Sequence, residues 1–151
     1  MPLSLSVRAI EGLSPSAHIE LGLTAARLAL PFWLRANPKK SYQVPLIEAL
    51  NAVEAYCISG QLVSGAKEIA VQAYKVVTSS DVPSGDIQRS SGFSVAHIAM
   101  APSHLVAGSA RKAQHSAMVA IGYSESIHCW AAKLVELETA LKLRRHELRE
   151  A

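Results

Sequence analysis

Apolar positions recur along this chain at three- and four-residue spacing, the pattern of helices that each bury one face. Over residues 17–36, Ile19, Leu23, Ala26, Leu30 and Trp33 form such a stripe, widened by Leu21, Ala25, Leu28 and Phe32. Ser14-Pro15-Ser16 stands just before it, a capping hydroxyl followed by a proline suited to a first turn. Pro31 falls inside the stripe. It predicts a kink, or an early end that leaves Phe32 to Arg35 as a last turn. After the loop that starts at Asn37-Pro38, a second helix is predicted over 45–59, with Pro45 in its first turn. Leu46, Leu50, Val53, Tyr56 and Cys57 make its inner face, while Glu48, Asn51 and Glu54 lie nearer the polar side. Gly60 is its natural stop.

A third helix is predicted over 62–79. Val63, Ala66, Ile69, Ala70, Ala73, Val76 and Val77 face inward; Lys67, Glu68, Gln72 and Lys75 face out. The turn-rich run to Gly85 ends it. Residues 88–120 are the most apolar stretch, built from small side chains, and they read as a central helical pair over 86–100 and 103–120. The split is placed at Pro102, because the residue before a proline is biased out of the helical region. Ile121 to Ser124 make the last turn, and Ser124 caps a long C-terminal helix over 124–150 whose Ile127, Trp130, Leu134, Leu137, Leu141 and Leu148 form a packing seam. Residues 1–13 make an N-terminal arm. The fold class is therefore all-α: one domain over 1–151, a bundle of about six helices.

Composition narrows the picture. Apolar residues are 50% of the chain but aromatics only 5%, so the core should be tight, with backbones close together. The net charge of +3 is a small excess spread along the chain, not the clustered footprint of a nucleic-acid binder. Cys57 and Cys129 are isolated thiols, as expected of a reducing compartment. The N-terminus has neither the basic start nor the long apolar run of a signal peptide. The longest apolar run is interrupted by His97, Pro102 and His104, short of the roughly 20 clean residues of a spanning helix. The expectation is a cytoplasmic protein with no membrane and no specific nucleic-acid partner.

Candidate chemistry centres on the histidines. On one continuous helix His97, His104 and His115 would share a face, spaced about 10 and 16 Å along the axis. A metal ion with bonds of about 2 Å cannot bridge such neighbours, unless the chain folds back at Pro102 and brings His97 to His104. The plainer reading is a pair of hydrogen-bonded histidines at a helix junction. Glu125-Ser126-Ile127-His128 has the Glu-x-x-His spacing of di-iron bundles, but such a site needs two of these motifs and the chain has one. No Gly-x-Ser-x-Gly and no glycine-rich phosphate loop occur. No catalytic residue, metal or cofactor is predicted. Two rival readings stay open: a small helical metal protein or enzyme using His97 and His104 with Glu54 or Glu48, and a structural helical oligomer. For the oligomer, the small residues Ala107, Ala110 and Ala117 leave room for a homodimer contact, although Ala96, Ala99, Gly108 and Ala113 belong to the same stretch and ordinary close packing explains them all.

Several of these segments, in this order, resemble the all-helical immunity-protein family of bacterial polymorphic toxin systems. They are Leu30-Pro31-Phe32, then Asn51-Ala52-Val53-Glu54-Ala55-Tyr56 shortly before Gly60, the Ala-rich helix after Ser64, Arg89-Ser90-Ser91-Gly92, and His104-Leu105-Val106-Ala107-Gly108. The resembling part spans 17–120, roughly two-thirds of the 151 residues. His104 is the sharpest match; His97 is out of register with the family's other histidine, so no paired-histidine role is carried over. The resemblance implies a small cytoplasmic protein that binds and neutralises a cognate protein toxin by occlusion, without catalysis. The candidate functional junction of this chain comprises His97, His104, Glu54, Tyr56, Arg89 and Gly92. The slightly basic charge does not favour a nuclease as the target, since nuclease inhibitors tend to be acidic.

Overall fold

The computed structural model describes residues 14–79 and 86–125. Its elements are α1 (Pro15–Ala36), α2 (Lys40–Ser59), α3 (Ala66–Thr78), α4 (Asp86–Val106) and α5 (Ala110–Glu125). These five helices, with no strand among the described residues, agree with the all-α class; the expected number was about six. The N-terminal arm over 1–13 and nearly all of the helix expected over 124–150 lie outside the described residues.

Each boundary has a local cause. The Ser14 hydroxyl accepts a hydrogen bond from the Ala17 N–H at 3.2 Å and caps α1, with Pro15 as its first residue. Pro31 does not end the helix. It sits on the exposed side, and α1 runs on to Ala36. The second helix begins at Lys40, five residues ahead of Pro45, the expected start. Tertiary bonds hold this extra turn. The Trp33 indole N–H donates to the Tyr42 carbonyl at 2.7 Å, and the Gln43 amide donates to the Leu34 carbonyl at 3.0 Å. Gly60 stops α2 as expected. The third helix starts at Ala66 instead of Leu62, after a turn over residues 63–65.

The expected break at Pro102 is wrong. α4 passes through Pro102 and ends at Val106. Pro102 is buried and lines a small void of about 10 Å³ with Ala49, Val53, Ala66, Ile69, Ala70 and Ala99. Its ring is thus packed between α2, α3 and α4, and that packing offsets the one backbone hydrogen bond a proline forfeits. The turn falls at Gly108 instead, whose φ of +89° lies in the left-handed region where a side chain is strained. Ser124 lies inside α5, not in the turn expected over 121–124. It is fully buried, and its hydroxyl donates to the Ala25 carbonyl of α1 at 2.7 Å.

α4 is the centre. It packs against each of the other four helices, and its pairing with α5 is the most extensive in the fold. Small side chains make this geometry, since backbones approach only where little stands between them. Ala96, Ala101, Ala113, Ala117 and Ala120 are fully buried, among larger residues such as Ile19, Trp33, Leu46, Val53, Val77, Val95 and Ile98. Gly92 marks a close approach: a Cβ there would stand 2.7 Å from the Trp33 ring and 2.9 Å from Val77. The two inner α4–α5 faces are tied by the Ser94 hydroxyl, which donates to the Ala120 carbonyl at 2.7 Å. Ala117 lies against Gly22 of α1, so it is not available for the dimer contact considered above. Among the described residues no helix is long and apolar enough to cross a membrane.

Candidate functional site

The six residues marked by the sequence do not form one junction. Tyr56 and Gly92 are core residues, and Arg89 is half-buried in the first turn of α4. Glu54 faces α1, where both of its oxygens accept hydrogen bonds from the Arg27 guanidinium at 2.8 and 3.1 Å. That bidentate pair holds the Glu54 carboxyl below the usual carboxylate range, by its hydrogen bonds first and its charge second. It raises Arg27 for the same reason, partly opposed by burial. Glu54 is therefore committed to a surface ion pair between α1 and α2.

His97 and His104 do not meet, because the helix they share continues through Pro102. Among the described residues neither imidazole forms a hydrogen bond, and the helix junction expected between them is absent. His97 is half-buried in an aromatic cluster. Its ring stacks on Tyr123 of α5 with centroids 5.6 Å apart and planes at 17°, and Phe93, one turn earlier, stacks on the same Tyr123 at 5.3 Å. Tyr74 of α3 meets His97 and Phe93 edge-on, both at 6.2 Å. Burial holds the His97 imidazole below its ordinary range, and the nearby charge of His115 adds to the effect. His97 is thus a neutral aromatic at ordinary pH.

His104, in the last turn of α4, faces a different setting. With Arg111, Lys112, His115 and Ser116 of α5 it lines an open concavity of about 470 Å³. Arg111 and Lys112 went unmarked in the sequence because their positions lie on an exposed face, and His115 was weighed only as a neighbour of His97 and His104 on one continuous helix. The Gly108 turn is what folds them back against His104. Their nearest sequence signal is the Arg111-Lys112 pair itself.

Among the described residues no three His, Cys, Asp or Glu side chains converge as a metal-binding set would require. The Glu-x-x-His motif lies outside the described side chains, as does Cys129; Cys57 is half-buried on α2. Compared with known proteins, the chain matches no family model, no curated protein and no solved structure.

Proposed function

We propose that this chain is an immunity-type protein of bacterial origin, which binds a cognate protein toxin and neutralises it by covering the toxin's working face. No reaction is involved, and the setting is the bacterial cytoplasm. Two things support the reading. The first is the ordered resemblance over residues 17–120. The second, which carries the proposal, is the aromatic cluster at the α3–α4–α5 surface. Tyr74 is 44% exposed there although the Phe93 and His97 rings brace it, and Val71, one turn before it on α3, is 36% exposed. A large amphipathic ring held in place before binding loses little conformational freedom on association, which is why tyrosines serve as interface anchors. A stable complex of standard size would bury about 800 Å² on this side, so the contact extends well beyond Tyr74.

The test is co-expression with the product of an adjacent reading frame. Growth arrest by that product alone, relieved by this chain, is the expected result. Tyr74→Ala should weaken the purified complex by tenfold or more, an anchor's loss of about 2 kcal/mol. An adjacent product that is harmless, or one that this chain neither binds nor neutralises, overturns the proposal.

A further inference from the structure

We propose that the concavity between the end of α4 and the start of α5 is an anion site for a phosphate group, free or as a small phosphomonoester. The cavity is of small-molecule size, about 470 Å³. The residues that line it are one-sided in charge: Arg111, Lys112, His104, His115 and Ser116 carry a guanidinium, an ammonium, two imidazoles and a hydroxyl, with no carboxylate among them. Among the described residues, none of the four nitrogen side chains is taken up by an ion pair or a side-chain hydrogen bond. The contrast with Arg27, which spends its guanidinium on Glu54, is direct.

These charges also stand where a helix disfavours them. Arg111 and Lys112 occupy the first turn of α5, at the positive end of its dipole, and that turn holds no acidic residue. His97, on the inner side, is close enough for His115 to disfavour its protonation. The concentration of like charge is thus a local cost without a structural return. A bound dianion removes it. The side-chain set, rather than the helix terminus, selects the ligand class. An arginine fork engages two oxygens at once, a lysine adds a point charge, and imidazole N–H groups and a hydroxyl donate from the remaining directions. A tetrahedral oxyanion offers oxygens in enough directions to meet them all; a planar carboxylate does not. This inference does not depend on the toxin-binding proposal.

The experiment is a titration of the full chain, followed by the ring-proton NMR resonances of its histidines and by melting temperature. Inorganic phosphate and glycerol phosphate are compared with chloride at matched ionic strength. Saturable shifts of the His104 and His115 resonances with either phosphate, absent with chloride, are expected. The tighter of the two probes tells a free phosphate site from an ester site. Arg111→Gln with Lys112→Gln should weaken binding roughly tenfold or more, from the loss of charge-assisted hydrogen bonds. Because both positions are exposed, the double variant should remain folded. His115→Gln gives a second, milder variant with the same expected direction. Non-saturating shifts that chloride reproduces, or an unchanged affinity in the double variant, overturn the proposal.

Discussion

The two ends of α4 follow opposite rules. Near its start, Ser91, Gly92, Val95 and Ala96 are buried and the backbone lies against Trp33 of α1 and Val77 of α3. There every atom has a neighbour and no space is spare. Near its end, Val106 is 56% exposed, and His104 looks into an open cavity shared with Arg111, Lys112 and His115. There the charges are exposed and, among the described residues, have no opposite partner. One helix therefore carries both a close backbone approach and, at its other end, cations with no acidic partner among the described residues. The difference separates residues chosen for packing from residues whose presence packing does not explain.

The sharpest way to probe the packed end is to add one methyl group. Gly92→Ala should destabilise the fold by about 1–3 kcal/mol, because the new Cβ meets an indole ring that cannot step aside. Alanine's better helix propensity, about 1 kcal/mol over glycine, offsets part of the clash and keeps the net cost in that range. Urea denaturation measures it. Trp33→Leu in the same chain should relieve much of the added cost, so the two changes should be strongly non-additive. Additive behaviour would show that the close approach is not what constrains position 92.

A second probe lies midway along α4. His97 is held below its usual protonation range by burial and by His115; the other rings facing it are Tyr74 from α3 and Tyr123 from α5. The unfolded chain, with an ordinary imidazole near pH 6.5, takes up a proton that the folded chain refuses. That contribution to stability is complete above the unfolded value and is lost as pH falls below it. Melting temperature should therefore drop as pH falls below about 6.5. His97→Phe keeps the stacking and should flatten this drop; an unchanged slope would assign the pH dependence elsewhere.

The smallest effects belong to the exposed charges. Arg111→Glu should stabilise the protein by about 0.3–1 kcal/mol at low salt, since it replaces a cation by an anion at the positive end of a helix. Raising the salt concentration should erase the gain. Glu54→Gln should weaken the fold slightly, because it breaks an exposed ion pair. The two substitutions then carry opposite signs although both alter surface charge. Equal signs would mean that the α4–α5 end is no less compensated than the Arg27–Glu54 edge.

Much of the fold was legible from periodicity. The inward Leu46, Leu50, Val53 and Tyr56, and the outward Lys67, Glu68, Gln72 and Lys75, lie where the spacing places them. Ser14 and Gly60 act as the start and stop signals they resemble. The prolines were the weak point. A local rule prices the hydrogen bond that a proline loses, yet at Pro45 and Pro102 tertiary contacts outweigh it, and those contacts join residues distant in sequence. Ser124 misled for a related reason: a hydroxyl that suits a helix cap equally suits a buried bond to another helix. The candidate site was less legible than the fold. Arg111, Lys112 and His115 gain their meaning only when Gly108 turns α5 back beside His104, and helical periodicity cannot see across a turn.

That Ser124–Ala25 bond also orders events in time. It joins residues 99 apart, whereas the Ser94–Ala120 bond spans 26. Loop-closure entropy rises by about 0.6 kcal/mol per doubling of length, so the longer closure costs about 1.2 kcal/mol more. The α4–α5 hairpin is thus the cheaper structure to form from an open chain. α1 has its Gly22 and Ala25 positions matched to surfaces of α4 and α5 that exist only once the hairpin is in place. On a folding pathway, the first described helix of the chain is the one that arrives on a surface already built.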